Sequence, residues 1–139
     1  MASLRHQLPT VVLAAGILAA EEVSFLLVGS AALWLRGESI AVGDVDAVIE
    51  PGEPNLRRLH EALTVLAVRP DTIAPLYRLR DLAVVTAFTP YGRLDCLLER
   101  GRRDWGELRL EAAPMAVADV PVLVASAEDA WALRRRFRK

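Results

Sequence analysis

The most constraining feature of this sequence is segment 44–49, Asp-Val-Asp-Ala-Val-Ile, where acidic and apolar residues alternate before the run becomes fully apolar. Successive side chains of a β-strand point to opposite faces of a sheet. On a strand, Asp44 and Asp46 therefore share one face, roughly 7 Å apart by strand rise. The apolar residues between and after them point the other way. The segment predicts a strand with an apolar core face and two carboxylates on its other face.

The remaining segments predict a single domain over residues 1–139 with an α+β fold, a mixed β-sheet with flanking helices. Short apolar runs predict strands, and apolar residues at steps of three and four predict helices. The predicted strands are residues 24–28, 44–49, 73–79, 83–88, 93–98, 115–117 and 122–124. The predicted helices are an N-terminal segment, residues 31–36, 55–68 and 101–110, and a final helix opened by Ser126. Asn55 is predicted to cap the helix 55–68, and residues 89–92 are predicted to form a hairpin turn.

Composition excludes several classes of protein. The chain has 17 basic and 18 acidic residues and a net charge of -1, which excludes a histone-like coat for nucleic acid. Its single cysteine, Cys96, excludes a disulfide framework and fits a reducing cytoplasm. The only lysine is Lys139. Chemistries that need an interior lysine, such as a Walker-type phosphate loop or a Schiff base, are therefore excluded.

The apolar run 10–20 has two interpretations. About 20 apolar residues are needed to span a bilayer, and Glu21 and Glu22 end this run at roughly half that length. Because Arg5 precedes it, the run could be the apolar region of a signal peptide. Its larger apolar residues recur at steps of three and four, as on one face of a helix. We therefore expect the N-terminal helix of a cytoplasmic protein that does not bind a membrane.

Gly29 and Ser30 stand where the predicted strand 24–28 gives way to a helix. Free backbone N–H groups at such a junction can bind phosphate, and a glycine lets the phosphate approach closely. Gly-Ser is also an ordinary turn sequence. The pair alone therefore leaves both interpretations open.

Three aspartates are candidate metal ligands. Asp44 and Asp46 repel each other unless a cation lies between them, and their hard oxygen ligands favour Mg²⁺. Asp95 lies between apolar residues on a predicted strand, where an unpaired buried carboxylate is costly. If the two strands are neighbours, the aspartates form a cluster able to hold two metal ions. Alternatively, the first pair is a solvated polar edge, and Asp95 pairs with an arginine such as Arg93 or Arg80.

Together these motifs resemble the nucleotidyltransferase superfamily that has the DNA polymerase β-like palm. The residues that carry the resemblance are Gly29, Ser30, Asp44, Asp46 and Asp95. It is most specific over residues 25–49, which are similar to the small prokaryotic branch that includes AbiEii-type toxins. It extends, with less specific residues, to the segment 120–126.

This resemblance implies transfer of a nucleoside monophosphate from an NTP, with Mg²⁺ or Mn²⁺ as cofactor. It implies that Asp44, Asp46 and Asp95 are catalytic residues and metal ligands, and that Gly29 and Ser30 bind the nucleotide phosphates. The acceptor would be an RNA end, a protein side chain or a small molecule. Because the branch commonly continues past its late helix, we expect a partner protein or a second copy to supply the acceptor-binding part. The alternative function is a catalytically weak binding module or a toxin–antitoxin subunit.

Other residues are weaker candidates for the site than these motif residues. Arg93 is adjacent to a motif residue and is the first candidate for a further nucleotide-binding residue. The arginines ranked below it are Arg36, Arg78 and Arg80. Cys96 is expected to point into the core as a structural thiol. The basic run 134–139 either binds RNA or nucleotide phosphates or, as we favour, complements the C-terminal end of the last helix.

Overall fold

The computed structural model describes residues 2–98 and 105–137 of the chain. This part contains α-helices, β-strands and one turn of 3-10 helix at Pro70–Thr72. The helices are α1 (Ala2–Ala20), α2 (Gly29–Leu35), α3 (Glu53–Leu66), α4 (Leu76–Leu79), α5 (Trp105–Glu111) and α6 (Ala127–Phe137). The strands are β1 (Phe25–Val28), β2 (Val45–Ile49), β3 (Val84–Phe88), β4 (Arg93–Leu97), β5 (Ala113–Val117) and β6 (Val120–Val124).

The strands form one sheet in the order β3-β4-β2-β1-β6-β5. Strand β2 runs parallel to β4 and β1 runs parallel to β6, whereas the pairs β1–β2, β3–β4 and β5–β6 are antiparallel. This arrangement confirms the predicted α+β class with a mixed sheet and flanking helices. Along β2, Val45, Ala47 and Ile49 are buried while Asp46 and Val48 are half-buried. The alternation read from the sequence is therefore confirmed.

The helices pack in two groups around this sheet. Helices α1 and α3 pack against each other and reach β4 and β3, and α2 packs against α6 near β1. In α1, Val11, Ala15 and Leu18 are fully buried, which confirms the predicted apolar face of the N-terminal helix. None of the helices in the described part of the chain has the length and apolar character that a membrane span requires.

The predicted strand 73–79 is wrong. The structure has a loop at residues 73–75, after the 3-10 turn Pro70–Thr72, and the short helix α4 at Leu76–Leu79. Proline cannot donate a hydrogen bond to a neighbouring strand, and Pro75 instead precedes the first turn of α4 in an extended conformation. Ile73 and Leu79 are both buried. The apolar residues that suggested a strand therefore reach the core without pairing in the sheet.

Two predicted segments fall partly outside the described residues. The predicted helix 101–110 corresponds to α5, which is described from Trp105 onward, and residues 101–104 lie outside. The side chains of the basic run 134–139 also lie outside the described part.

Asn55 has a different role from the one predicted. Helix α3 begins two residues earlier, after Gly52, so Asn55 is not its cap. Its amide oxygen instead accepts the backbone N–H of Ser24 at 2.7 Å, and its amide nitrogen donates to the carbonyls of Ser24 (3.0 Å) and Glu50 (2.8 Å). Asn55 is buried. One side chain therefore joins the start of β1 to the end of β2 and to α3.

Replacing Asn55 with alanine should destabilise the fold. The substitution leaves the Ser24 N–H and the Glu50 carbonyl without this partner, whereas the Ser24 carbonyl keeps the bond from the Glu50 N–H. We therefore expect a loss of about 2–3 kcal/mol in the free energy of unfolding. Thr64→Ala is the matched control on the same helix, since the Thr64 hydroxyl makes an exposed bond to the Glu61 carbonyl. Its loss should stay within about 0.5 kcal/mol. Denaturant unfolding measures both, and equal effects would contradict a joining role for Asn55.

Candidate active site

A cleft of about 630 Å³ opens beside the β1–α2 turn and the exposed part of β4. Every residue predicted for the site lines this cleft: Gly29, Ser30, Asp44, Asp46, Arg93 and Asp95. The walls also include the apolar residues Val84, Leu97 and Leu133. The arginines of lower rank are not among its lining residues.

Strand register explains why the aspartates meet. In the parallel pair β2–β4, Asp46 lies directly beside Asp95, and in the antiparallel pair β1–β2 it lies beside Val28. On the far side of β4, Asp95 lies beside Thr86 of β3. Cross-strand neighbours project to the same face of a sheet. The polar side chains of three adjacent strands therefore form one row on the cleft side.

Gly29 makes the closest backbone approach to this row. Its φ of +64° lies in the left-handed region that favours glycine. A Cβ atom placed on Gly29 would lie only 2.7 Å from Oδ2 of Asp46. The chain therefore needs glycine here both for its backbone conformation and for the space that the Asp46 carboxylate occupies.

The Ser30 hydroxyl holds the loop that leads to Asp44. Its Oγ accepts the backbone N–H of Gly43 at 2.9 Å, and Ser30 itself is buried. Asp44 follows Gly43 and precedes β2, so this bond fixes the entry to the acidic strand. A hydroxyl that accepts one hydrogen bond keeps its own proton to donate. Ser30 thus has a structural bond and a donor still available toward the cleft.

Arg93 pairs with two of the aspartates. Its Nη2 lies 2.6 Å from Oδ2 of Asp44, and its Nε lies 3.2 Å from Oδ2 of Asp95. Of the two arginines considered as partners for Asp95, Arg93 forms the ion pair, whereas Arg80 lies 3.5 Å from Glu53 instead. The guanidinium therefore neutralises part of the negative charge that the three carboxylates bring together.

The surroundings of Asp46 perturb its pKa. Burial, followed by the nearby charges of Asp95 and Asp44, raises the pKa of Asp46 from 3.8 to about 7, while Arg93 opposes the rise. The ionised form of Asp46 is therefore disfavoured in the folded protein unless an additional cation approaches. Such a perturbed carboxyl group in a cleft is typical of functional sites.

The donor set suits a hard divalent cation. Carboxylate oxygens are the ligands that Mg²⁺ and Mn²⁺ prefer, and a cation beside Asp46 would favour its ionised form. In the described residues, however, no three His, Cys, Asp or Glu side chains are grouped closely enough to hold a metal ion as they stand. Arg93 engages Asp44 and Asp95 in this arrangement.

The lower-ranked arginines do not line the cleft. Arg36 donates from Nε to the Ala125 carbonyl at 3.1 Å and from Nη2 to the Val124 carbonyl at 3.0 Å. It therefore ties the end of α2 to the end of β6, and the prediction that it binds phosphate has no support here. Arg78 is exposed on α4, outside the cleft lining.

Sequence reasoning missed Thr86. Its Oγ1 lies 2.6 Å from Oδ1 of Asp95. The signal was present in the hairpin: the predicted turn 89–92 is confirmed by the bond from the Thr89 N–H to the Gly92 carbonyl at 2.8 Å. Counting back along both strands from that turn places Thr86 opposite Asp95.

Comparison with known proteins bears on the fold. No protein-family model and no curated protein matches this chain. Among solved structures, it is similar to the crystal structure of a putative nucleotidyltransferase from Thermotoga maritima, with a TM-score of 0.61. The likeness covers 90% of this chain and 80% of that one at 14% sequence identity. At that identity the likeness shows the fold, which is α+β and nucleotidyltransferase-like.

Replacing Gly29 with alanine should lower the free energy of unfolding more than the same replacement at another glycine with a positive φ. Gly37 also has a positive φ, +94°, but a Cβ there would meet nothing within 4 Å. Gly37→Ala therefore measures the backbone penalty alone, on the order of 1 kcal/mol. Gly29→Ala should lose a further 1–3 kcal/mol or so, because the Asp46 carboxylate must move. Equal unfolding free energies for the two variants would contradict the close approach.

The raised pKa of Asp46 predicts how stability depends on pH in metal-free protein. Well below pH 3.8 the carboxyl group is protonated in both folded and unfolded chains, and its contribution is fully present. As the pH rises toward 7, the unfolded chain ionises first, so folding becomes less favourable. Asp46→Asn removes this loss. The variant should be within about 1 kcal/mol of wild type near pH 4 and exceed it at pH 8 by up to roughly 4 kcal/mol.

Denaturant unfolding of both proteins across pH 4–8 measures this difference, and taking the difference removes the titration of groups that they share. A wild-type protein that gains stability relative to Asp46→Asn as the pH rises would contradict the predicted sign.

Proposed function

We propose that this chain is a metal-dependent nucleotidyltransferase that moves a nucleoside monophosphate from an NTP to an acceptor. The observation that carries the proposal is the close approach of the β1–α2 turn to an acidic row within one cleft. Gly29 lies against the Asp46 carboxylate, and Asp46 lies beside Asp95 in the same cleft. The likeness to a putative nucleotidyltransferase supports the general reaction class.

Asp44, Asp46 and Asp95 would hold Mg²⁺ or Mn²⁺. When bound, the cation supplies charge neutralisation for the triphosphate and for the attacking group. The protein's own contribution would be largely positional. Strand pairing holds Asp46 beside Asp95, and metal binding would require Arg93 to release Asp44 and Asp95. No lysine or histidine is required by this chemistry, in keeping with the near absence of lysine from the sequence.

The β1–α2 turn and Arg93, which lie beside the carboxylates in the cleft, would bind the phosphates. The β1–α2 turn presents backbone N–H groups with no side chain at Gly29 to obstruct them, and the Ser30 hydroxyl retains a proton to donate. Arg93 has a planar guanidinium with five donors, and its contacts with Asp44 and Asp95 leave other donors for a phosphate oxygen. These groups would orient the triphosphate against the carboxylates.

Asp95 is the candidate for accepting the proton of the attacking group. It lies on the cleft side of β4, its side chain is 15% exposed, and its oxygens already have oriented donors. The acceptor itself is an RNA end, a protein side chain or a small molecule, and a partner protein or a second copy of the chain would help to bind it. We also propose that the protein is cytoplasmic and belongs to the AbiEii-type branch.

A second candidate function is a catalytically weak binding module or a toxin–antitoxin subunit of the same fold. The observation that favours it is the pair of contacts made by Arg93. The guanidinium balances the negative charges of Asp44 and Asp95 without a metal ion. In this alternative the cleft would bind a nucleotide or a partner with little turnover.

Two measurements test the proposal: transfer of label from an NTP, and stabilisation of the protein by a divalent cation. Each labelled NTP is incubated with the protein, Mg²⁺ or Mn²⁺, and a crude RNA and protein extract, and the position of the label is followed. We expect transfer by wild type and a fall of about 100-fold or more in Asp46→Asn, equivalent to roughly 2.7 kcal/mol. At about a hundred times its dissociation constant, the cation should stabilise wild type by roughly 2.7 kcal/mol, and most of that gain should disappear in Asp46→Asn.

Asp71→Asn is the matched control. Asp71 is exposed, lies 3.7 Å from Arg69 and is remote from the cleft lining. The control should keep both the transfer and the metal response of wild type. A wild-type melting curve that ignores both cations in the presence of NTP would overturn the proposal, whereas nucleotide binding without label transfer would favour the binding module.

A further inference from the structure

Thr86 occupies a special position on strand β3. The backbone bonds from Thr89 N to Gly92 O and from Leu98 N to Ala83 O mark the hydrogen-bonded pairs of the β3–β4 hairpin. Every second pair is hydrogen-bonded in an antiparallel ladder, so Thr86 and Asp95 form a pair of the other kind, in which side chains come closest. The location alone therefore brings the Thr86 hydroxyl to the Asp95 carboxylate.

The contact is short and has a defined direction. The Thr86 hydroxyl donates to Oδ1 of Asp95 at 2.6 Å, a length typical of a hydroxyl bonded to an ionised carboxylate. The other oxygen, Oδ2, receives Arg93 Nε at 3.2 Å. With one donor on each oxygen, both the position and the plane of the carboxylate are fixed.

The two donors differ in how firmly they are held. A threonine has a branched Cβ and few rotamers on a strand, and Thr86 is half-buried in the cleft wall. Arg93 has a long side chain that is 44% exposed and also bonds Asp44. Any ligand that draws the guanidinium away leaves Thr86 as the donor that keeps Asp95 in place.

We propose that Thr86 is a positioning residue for Asp95, holding its carboxylate in the orientation that the metal and the acceptor require. This inference rests on the proposed function. A purely structural role for Thr86 predicts a different result, because valine is at least as favourable as threonine on a strand. Thr86→Val should therefore fold well in either case, and only the behaviour of the cleft separates the two roles.

Mn²⁺ binding without nucleotide is the first readout. Outer groups that orient a metal ligand typically contribute 10–100-fold in metal affinity or activity. We expect Thr86→Val to bind Mn²⁺ about tenfold more weakly in a calorimetric titration and to transfer label about 10–100-fold more slowly, with KM for the NTP within about twofold of wild type. Thr86→Ser keeps the hydroxyl and should stay within about threefold of wild type in both measurements.

Thr64→Val is the matched control, because it makes the same replacement on α3, where the hydroxyl bonds only the Glu61 carbonyl. It should leave Mn²⁺ affinity and transfer unchanged. If wild type binds Mn²⁺ and Thr86→Val binds it equally well, or if Thr86→Ser is as impaired as Thr86→Val, the positioning role is overturned while the proposed function stands. Failure of wild type to bind Mn²⁺, both alone and with an NTP present, would overturn both.

Discussion

Backbone pairing between two parallel strands places Asp46 and Asp95 side by side, and much of the molecule is arranged around the resulting repulsion. Because both residues sit within paired segments of β2 and β4, their backbones cannot separate without breaking the sheet, and the carboxylates can move apart only by side-chain rotation. The repulsion is offset locally. Arg93 bonds Asp95 and Asp44, and Thr86 donates to the remaining oxygen of Asp95. Asp46 receives no comparable donor from the described residues, and its burial, followed by the charges of Asp95 and Asp44, raises its pKa.

Contacts outside the cleft stabilise the fold against the repulsion between the carboxylates. The face of β2 opposite the carboxylates is apolar and buried. Asn55 fastens the far ends of β1 and β2 to α3 through three hydrogen bonds, and Arg36 fastens α2 to the end of β6. These bonds lie outside the cleft, so they hold the strands in register without competing for the carboxylate oxygens. The separation of stabilising groups from reactive groups is a common way for folds to tolerate a repulsive site.

Sequence patterns predicted the parts of this fold that depend on local spacing. The alternation in β2, the hairpin at residues 89–92 and the turn at Gly29 were all readable, because each follows from the geometry of adjacent residues. The strand predicted over residues 73–79 failed because apolar content was weighed above the effect of Pro75 on pairing. Asn55 was misjudged since its partners, Ser24 and Glu50, lie on other elements. The parallel pairings β1–β6 and β2–β4 join distant segments, and nothing local specifies their register.

The buried thiol of Cys96 gives the cleft a built-in reporter. Cys96 is the only cysteine of the chain and is fully buried on β4, next to Asp95 and paired with Ala47 and Val85 on the neighbouring strands. Burial, with the charges of Asp95 and Asp46, raises the pKa of this thiol, so it is unreactive while the strand stays paired. A thiol reagent therefore modifies the chain only when β4 opens, and the rate of modification reports that opening. Chemical labelling at this one atom reads out the opening of the strand that carries Asp95, without any introduced probe.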